Sequence, residues 1–230
     1  MINLSVIVPF FNEEQFLDES VNRLLSNDIY TSIYLIDNNS TDNSYEIAKN
    51  LAGNNEKIEL FKTGKNKGKG SVLAYSKNLI TTSHVVIHDA DLEYFPEDII
   101  EMFELAKQNQ KSLILGSRFI GSKKRENIYL RTFLANRVMS LFFSLVNSYK
   151  ISDVASCYKL MPVEFFKNVD LKESGFSIEI ELLSKFLKFN RSVLEVPISY
   201  EGRSYTEGKK IKTLDGFQYL FNTIKYRFLN

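Results

Sequence analysis

The residues with the clearest chemical potential are two carboxylates that follow an apolar run. Asp89 and Asp91 come directly after residues 84–88, and one residue separates them. In extended backbone, residues i and i+2 share a face, so both carboxylates can converge on one hard cation such as Mg²⁺ or Mn²⁺. A bound cation would neutralise a diphosphate and support its departure as a leaving group. A solvated acidic turn is the alternative, but the apolar run, with His88 and Glu93 nearby, favours a site.

A second acidic segment, Asp37-Asn38-Asn39-Ser40-Thr41-Asp42, follows the apolar run at residues 32–36. Ser, Thr and Asp favour turns and helix N-caps, so one interpretation is a turn that leads into a capped helix. The carboxylate of Asp37 could also accept hydrogen bonds from the N–H groups of a nucleobase, which a cap does not require. The residues by themselves leave both roles open.

Basic residues form two further groups. The first is a glycine- and lysine-rich segment, residues 64–70, which includes Lys67, Gly68 and Lys69. Backbone N–H groups before a helix attract phosphate, although the spacing is not that of a P-loop and a solvated basic loop is the alternative. The second group consists of later cations that could bind another anionic group: Arg118, Arg131, Arg137, Arg203, Lys209, Lys210 and Lys212.

The elements that must position these residues follow from hydrophobic periodicity. Short apolar, β-branched runs predict strands at residues 4–9, 32–36, 58–62, 84–88, 112–115 and 192–196. Helical spacing lies between and after them, with helices expected near residues 12–25, 47–51, 71–80, 96–110, 129–146, 178–189 and 214–229. This alternation predicts an α/β protein whose mostly parallel sheet is covered by helices and binds ligands beyond the carboxyl ends of its strands.

Three local expectations accompany this pattern. Pro9 should end the first strand, because a proline cannot donate a hydrogen bond to a sheet ladder. The first helix should begin at Asn12. The polar and basic residues 121–127 should form a mobile loop.

Composition limits the classes of function. The 230 residues are 44% hydrophobic, which is enough for one sizeable core, and we expect a single domain. The 29 Lys and Arg residues nearly balance the 28 Asp and Glu residues, which argues against a general nucleic-acid-binding protein. The single cysteine, Cys157, excludes an internal disulfide and a cysteine-rich metal site. Without a signal-peptide pattern, we expect a cytoplasmic location.

Membrane contact, if it occurs, should be peripheral and at the inner face of the membrane. No apolar run in the sequence approaches the roughly 20 residues that span a bilayer. The apolar faces of the predicted helices at residues 129–146 and 214–229 could lie on the membrane interface or pack against the core. The exposure of Phe142, Phe143 and Leu145 distinguishes these alternatives.

Taken together, the segments resemble the family 2 glycosyltransferases of the GT-A fold. Residues 5–13 look like the opening strand and loop of that family, and residues 37–42 are similar to its Asp-Asp-Gly-Ser-Thr-Asp segment, with Asn38 and Asn39 as departures. Residues 66–70 match its Asn-x-Gly-Lys-Gly stretch, and residues 89–91 match its metal-binding Asp-x-Asp. The resemblance implies that a nucleotide sugar is bound by Pro9, Phe11, Asn12, Glu13, Asp37, Asn39, Lys67, Gly68, Lys69, Asp89 and Ala90.

The later segments resemble the dolichyl-phosphate mannose or glucose synthases within this family. The similarity lies in Gly116-Ser117-Arg118-Phe119, Ser156-Cys157-Tyr158-Lys159, Glu195-Val196-Pro197-Ile198 and Tyr200-Glu201-Gly202-Arg203. It implies a Rossmann-like GT-A domain over residues 1–230, with a nucleotide-sugar half at 1–115 and an acceptor half at 116–230. It also implies that Arg118, Arg131 and Arg203 bind the acceptor phosphate and that Asp89, Asp91 and Glu93, usually Gln in that subgroup, hold Mg²⁺ or Mn²⁺.

The expected reaction is inverting transfer of a hexose from GDP-mannose or UDP-glucose to a polyprenyl or dolichyl phosphate, with Asp91 and Arg118 as catalytic residues. A phosphate acceptor is already ionised, so it needs orientation more than a general base. Two alternatives stay open. One is transfer to a saccharide hydroxyl of a glycan acceptor, for which Asp153 is the candidate base. The other is a noncatalytic module that binds nucleotide sugars.

Overall fold

A computed structural model describes residues 2–203 and 213–229, with the side chains of residues 213–217 left out of the description. The strands are β1 Leu4–Phe10, β2 Tyr30–Asp37, β3 Ile58–Lys62, β4 His84–Ile87, β5 Leu113–Ser117, β6 Arg125–Glu126, β7 Lys159–Pro162, β8 Val193–Pro197 and β9 Tyr200–Glu201. The helices are α1 Leu17–Leu25, α2 Ser44–Asn54, α3 Lys69–Ser76, α4 Asp98–Gln108, α5 Leu130–Asn147, α6 Val163–Asn168, α7 Ile178–Phe189 and α8 Thr213–Phe228.

Seven strands form the central sheet in the order β3-β2-β1-β4-β7-β5-β8. The pairs β1–β2, β2–β3, β1–β4 and β5–β8 are parallel, whereas β7 runs antiparallel to both β4 and β5. The prediction of a mostly parallel sheet flanked by helices is therefore confirmed. The proposed boundary at residue 115 falls inside β5, and β7 from the later part of the chain lies between β4 and β5. The division into two ligand-binding halves stays a prediction.

Pro9 does not end the first strand, so this expectation was wrong. It pairs with Ile36, and β1 continues to Phe10. The Ile7 carbonyl accepts from the His88 N–H, so odd-numbered residues of this strand turn their backbone groups toward β4. Because β4 ends at Ile87, the missing N–H of Pro9 lies where no ladder partner is required.

The first helix begins at Leu17 and not at Asn12. Backbone N–H groups between these residues donate hydrogen bonds to serine side chains in and just after the segment 37–42. The Asn12 N–H donates to Ser40 Oγ at 3.0 Å, and the Glu13 N–H donates to Ser44 Oγ at 2.8 Å. Asn12 itself adopts a left-handed conformation, with φ 52°. These contacts hold the residues after β1 in a loop at the edge of the sheet.

The segment 121–127, expected to be a mobile loop, contains a short strand. Arg125 pairs with Tyr200 and Glu126 with Glu201, which forms a small two-stranded sheet from β6 and β9. This sheet fixes the chain just before Arg203. The cationic residues Lys209, Lys210 and Lys212, expected nearby, lie outside the described residues.

Helices α5 and α8, the two considered for membrane contact, each pack one face on the protein and expose the other. On α5, Phe143 is fully buried and Phe142 is half-buried, but Leu145 is 69% exposed. These three residues therefore do not decide between core packing and membrane contact, because α5 both packs on the core and presents apolar residues to solvent. Within residues 2–203 and 213–229, none of the helices has the length and apolarity needed to cross a bilayer.

Candidate active site

A cavity of about 440 Å³ opens at the carboxyl ends of β1 and β4. Most predicted site residues line it, namely Pro9, Phe11, Glu13, Gly68, Lys69, Asp89, Ala90, Asp91, Glu93, Arg118, Arg131 and Arg203. Five other predicted site residues, all within the described part of the chain, do not line the cavity: Asn12, Asp37, Asn39, Lys67 and Asp153. The cavity therefore brings the acidic pair together with cations from the later part of the chain.

Asp89 is held by a lysine from the glycine-rich segment. The Lys69 ammonium lies 2.7 Å from Asp89 Oδ1, and both side chains are largely buried. Burial by itself opposes ionisation, yet the charge and hydrogen bond of Lys69 bring the pKa of Asp89 below its ordinary value. Asp89 is therefore a carboxylate at neutral pH.

Asp91 lies among like charges and one cation. Burial raises the pKa of Asp91 to about 7, and the charges of Glu93 and Asp89 add to this effect. The Arg203 guanidinium offsets part of it, since Nη2 donates to Asp91 Oδ2 at 3.0 Å and Nη1 donates to Glu13 Oε2 at 3.2 Å. Carboxylates from the loops after β1 and β4 thus converge on a single positive group.

Glu93 anchors the segment that carries Arg203. Its Oε2 accepts from the Tyr200 hydroxyl at 2.6 Å, and its Oε1 accepts from the Arg203 N–H at 2.9 Å. Between the two acidic positions, Leu92 adopts φ 61°, a left-handed conformation that branched residues rarely occupy. This turn brings the Glu93 N–H within 3.2 Å of Asp91 Oδ1.

Arg118 forms a bidentate pair with Asp153. Nε donates to Asp153 Oδ2 at 2.7 Å and Nη2 donates to Oδ1 at 2.8 Å, while the Arg118 backbone N–H also donates to Oδ2. Asp153 is fully buried, and the Arg118 guanidinium lies 4.9 Å from the centre of the Tyr200 ring. Asp153 therefore holds Arg118 at the cavity wall. Arg131, the third predicted phosphate ligand, is exposed at the start of α5.

The predicted base-binding segment supports the cavity from behind. Asp37 is fully buried, accepts from the Ser40 N–H at 2.8 Å through Oδ1, and has Lys62 Nζ 3.3 Å from Oδ2. Asn39 adopts φ 65°, and the neighbouring Asn38 reaches the cavity wall instead. Asn38 Nδ2 donates to Asn66 Oδ1 at 2.9 Å, which ties this segment to the glycine-rich one.

Two of the glycines in residues 64–70, Gly68 and Gly70, are required by close packing. Gly68 has φ 93°, and a Cβ there would lie 2.6 Å from the Ser174 carbonyl oxygen. A Cβ on Gly70 would lie 1.9 Å from the Glu173 carbonyl oxygen. The two glycines let the start of α3 approach this backbone and direct Lys69 into the cavity, whereas Lys67 points to solvent.

A model of one protein family matches residues 5–170, which is more than half of the chain. Its description is Glycosyl transferase family 2. The chain belongs to this family. It is a glycosyltransferase, as the motifs at residues 37–42 and 89–91 predicted.

Curated relatives of this glycosyltransferase include two transferases whose names contain dolichol phosphate or dolichyl phosphate. A dolichol-phosphate mannosyltransferase of Pyrococcus furiosus is 30% identical over 224 residues, which cover 95% of this chain and 62% of the relative. The chain thus spans less than two thirds of that protein. A UDP-N-acetylglucosamine–dolichyl-phosphate N-acetylglucosaminyltransferase of Methanococcus voltae is 25% identical over 236 residues, which cover 95% of this chain and 94% of the relative.

Solved structures confirm the fold of the glycosyltransferase. Glucosyl-3-phosphoglycerate synthase from Mycobacterium tuberculosis, crystallised with Mn²⁺, UDP and phosphoglyceric acid, superposes with a TM-score of 0.74. The match covers 100% of this chain and 80% of that structure at 15% sequence identity. The shared architecture is the GT-A fold, as predicted.

The carboxylates of the glycosyltransferase suit a hard divalent cation. Asp89, Asp91, Glu93 and Glu13 offer the oxygen donors that Mg²⁺ and Mn²⁺ prefer, and the pKa of Asp91 is raised by burial first and then by the negative charges of Glu93 and Asp89. In the described part of the chain, no three His, Cys, Asp or Glu side chains already form a metal cage. A two-carboxylate site completed by a substrate diphosphate and water is consistent with both observations. The metal stays a prediction.

Three residues at the site were not predicted from the sequence: Glu179 and Cys157 line the cavity, and Lys159 lies buried against Glu179. Glu179 lines the cavity 2.9 Å from Lys69, and its other oxygen lies 2.5 Å from the fully buried Lys159. Cys157 Sγ lies 3.3 Å from Lys69 Nζ. One signal was present in the sequence, since Glu179 interrupts an apolar helical run, and a charged residue inside such a run must have a partner.

Proposed function

We propose that this glycosyltransferase moves a hexose from a nucleotide sugar, GDP-mannose or UDP-glucose, to a polyprenyl or dolichyl phosphate with inversion at the anomeric carbon. The observation that carries the proposal is the composition of one cavity wall. Asp89 and Asp91 lie on one side, and Arg118 and Arg131 come from the later part of the chain. This arrangement suits a substrate diphosphate held through a cation and a second phosphate held by arginines.

Asp89 and Asp91 would hold the divalent cation, with Glu93 near it. When bound, the cation supplies charge neutralisation to the diphosphate that leaves. Asp89 is suited to this role because Lys69 keeps it ionised. Pro9, Phe11 and Glu13 would contact the nucleotide from the loop after β1, and Asn38 would do so from the loop after β2.

In the proposed step, an acceptor phosphate oxygen attacks the anomeric carbon and forms the new C–O bond. The bond from that carbon to the nucleoside diphosphate breaks, and the leaving oxygen keeps the electron pair. No proton has to be removed because the acceptor phosphate is already ionised near neutral pH. Arg118 would orient this phosphate with Nη1, since the pair with Asp153 uses Nε and Nη2.

Transfer to a hydroxyl acceptor receives less support. Such a reaction needs a general base, and the candidate was Asp153. Both oxygens of Asp153 accept from Arg118, and the residue is fully buried behind the cavity. This environment favours a role in positioning Arg118 over a role in taking a proton.

A lipid acceptor also fits the outer surface of α5, for which we propose peripheral contact with an anionic bilayer. Five aliphatic residues at helical spacing are exposed on this helix: Leu130, Leu134, Val138, Leu141 and Leu145. At about 100° per residue they cover a stripe of about 80°, and Arg131 lies next to it on the side that turns into the cavity. The helix has two arginines and no acidic residue, which complements anionic headgroups.

The names of two relatives add support, because each names a dolichyl phosphate as acceptor. The solved relative with Mn²⁺ and UDP supports a divalent cation beside the nucleotide. The donor sugar differs among these proteins, so the test must include several donors.

The direct test incubates the protein with GDP-mannose, UDP-glucose or UDP-N-acetylglucosamine, with Mg²⁺ or Mn²⁺ and a short polyprenyl phosphate. Release of nucleoside diphosphate and formation of lipid-linked sugar are followed together. The proposal predicts both products only when the lipid phosphate is present. Equal release with a saccharide in place of the lipid would favour a hydroxyl acceptor. Tight binding of a donor without any turnover would favour a noncatalytic module.

A further inference from the structure

Four charged side chains of alternating sign extend from the cavity into the core. Lys69 Nζ lies 2.7 Å from Asp89 Oδ1 and 2.9 Å from Glu179 Oε1, and Glu179 Oε2 lies 2.5 Å from Lys159 Nζ. Exposure decreases along the series, from 24% of the Asp89 side chain to 0% of the Lys159 side chain. Such a series is stable in a low dielectric only while each charge keeps its neighbours.

Lys69 contacts two carboxylates: its ammonium lies 2.7 and 3.0 Å from the two oxygens of Asp89 and 2.9 Å from Glu179 Oε1. It is the first residue of α3, and a cation at a helix N-terminus is disfavoured by the helix dipole. The negative charges of Asp89 and Glu179 offset this effect. If Glu179 lost its charge, the ammonium would pair with Asp89 alone, and the pairing would make Asp89 a weaker ligand for another cation.

Glu179 itself is poorly placed to take a proton from an acceptor. Each of its oxygens has an ammonium group within 3 Å, from Lys69 on one side and from Lys159 on the other. Lys159 is also held by the carbonyl oxygens of Ser156 and Val154. The carboxylate is thus fixed as an ionised group between two cations, which suits a positioning role.

We propose that Glu179 is a positioning residue that competes with Asp89 for the Lys69 ammonium and so keeps Asp89 available for the cation and the donor diphosphate. This inference rests on the proposed function for the identity of the ligands. It assigns to α7, which the recognised motifs leave without a role, control over the acidic site.

The experiment measures binding without turnover. Glu179→Gln, Lys69→Met and the double variant are titrated with Mn²⁺ in the presence of GDP or UDP, and each protein is checked by thermal unfolding. We expect Glu179→Gln to weaken Mn²⁺–nucleotide binding about tenfold, but to have less than about a twofold effect in the Lys69→Met background. A tenfold loss that persists without Lys69, or no loss in the single variant, would overturn the inference.

Glu181→Gln is the matched control. Glu181 is fully buried two residues further along α7 but does not line the cavity, since it pairs with Lys185 and accepts from the backbone N–H groups of Lys172 and Glu173. Its replacement should lower thermal stability and leave binding within about twofold of wild type. If Glu179→Gln does not fold, Glu179→Asp retains the charge but is too short to reach both lysines, and the same cycle is run with it. A wild-type protein that binds neither nucleotide would sink the proposed function, and this inference with it.

Discussion

Arg203 and Asp91 form a contact of 3.0 Å in the centre of the acidic site. The same guanidinium lies 3.2 Å from Glu13 and 5.3 Å from the centre of the Phe16 ring. A residue expected to bind the acceptor phosphate is therefore paired with a residue expected to bind the metal. The Arg203 guanidinium and a metal ion would compete for Asp91, because both are positively charged and a cation bound by Asp91 would repel the guanidinium.

Replacing Arg203 should separate these roles. We expect Arg203→Gln to bind Mn²⁺ with the nucleotide about fivefold more tightly, because removal of one competing charge from a mostly buried site is worth about 1 kcal/mol. Transfer to polyprenyl phosphate should fall at least about tenfold because the acceptor loses a ligand. Titration with Mn²⁺ and steady-state kinetics measure the two effects. Arg191→Gln, which removes a cation outside the cavity, is the control, and weaker Mn²⁺ binding by Arg203→Gln would contradict the competition.

The raised pKa of Asp91 predicts a pH-dependent stability. The pKa is about 7 in the folded protein, against about 3.9 in an unfolded chain. The folded state therefore binds this proton more tightly, and its stability falls as the pH rises from about 4 to about 7. Asp91→Asn avoids this loss, so its stability relative to wild type should grow by about 1–3 kcal/mol between pH 5 and pH 8 without metal.

Chemical unfolding at the two pH values measures this difference. Added Mn²⁺ and nucleotide should reduce it at pH 8, because the cation stabilises the ionised carboxylate of the wild type. Turnover of Asp91→Asn should be at least about a hundredfold lower than that of wild type. A stability difference that does not change with pH, or a fully active variant, would remove the electrostatic role of Asp91.

Asp153 offers a test of the acceptor. Asp153→Asn leaves a buried guanidinium without its ionic partner and should destabilise the protein by about 3–5 kcal/mol. If the carboxylate only orients Arg118, the variant should have a raised KM for polyprenyl phosphate and an unchanged pH dependence of kcat. The substitution should then add little to Arg118→Lys. Loss of kcat with an unchanged KM would instead indicate a general base and a hydroxyl acceptor.

The exposed stripe of α5 predicts a membrane-binding phenotype. Leu134→Gln and Leu141→Gln together should reduce binding to vesicles that contain anionic lipid by at least about thirtyfold, since each side chain inserted into the bilayer contributes more than about 1 kcal/mol. Thermal stability should stay within about 0.5 kcal/mol because both side chains are exposed. Ile100→Gln, which changes an exposed residue on α4, is the control for vesicle flotation. Unchanged flotation of the double variant would argue for another use of this face.

The position of several strands and helices could be predicted from local pattern. β3 begins and ends where the sequence predicted, and so does α7, because buried parallel strands and amphipathic helices have distinctive periods. Asp89 and Asp91 were also identified from their place after an apolar run. The place of Pro9 inside β1 was not predictable. It depends on the end of β4 at Ile87, which pairs with Ile7, so that Pro9 lies two residues beyond the last pair between these strands.

By itself the sequence determined the family, the α/β alternation and the loops that meet at one edge of the sheet, since these depend on local spacing and short motifs. Tertiary structure decided which charges became partners. Arg118 with Asp153, Arg203 with Asp91, and Lys69 with Glu179 join positions 35 to 112 residues apart. Coulombic interactions at 3 Å in a buried cavity depend on distance in space, which spacing along the chain does not report.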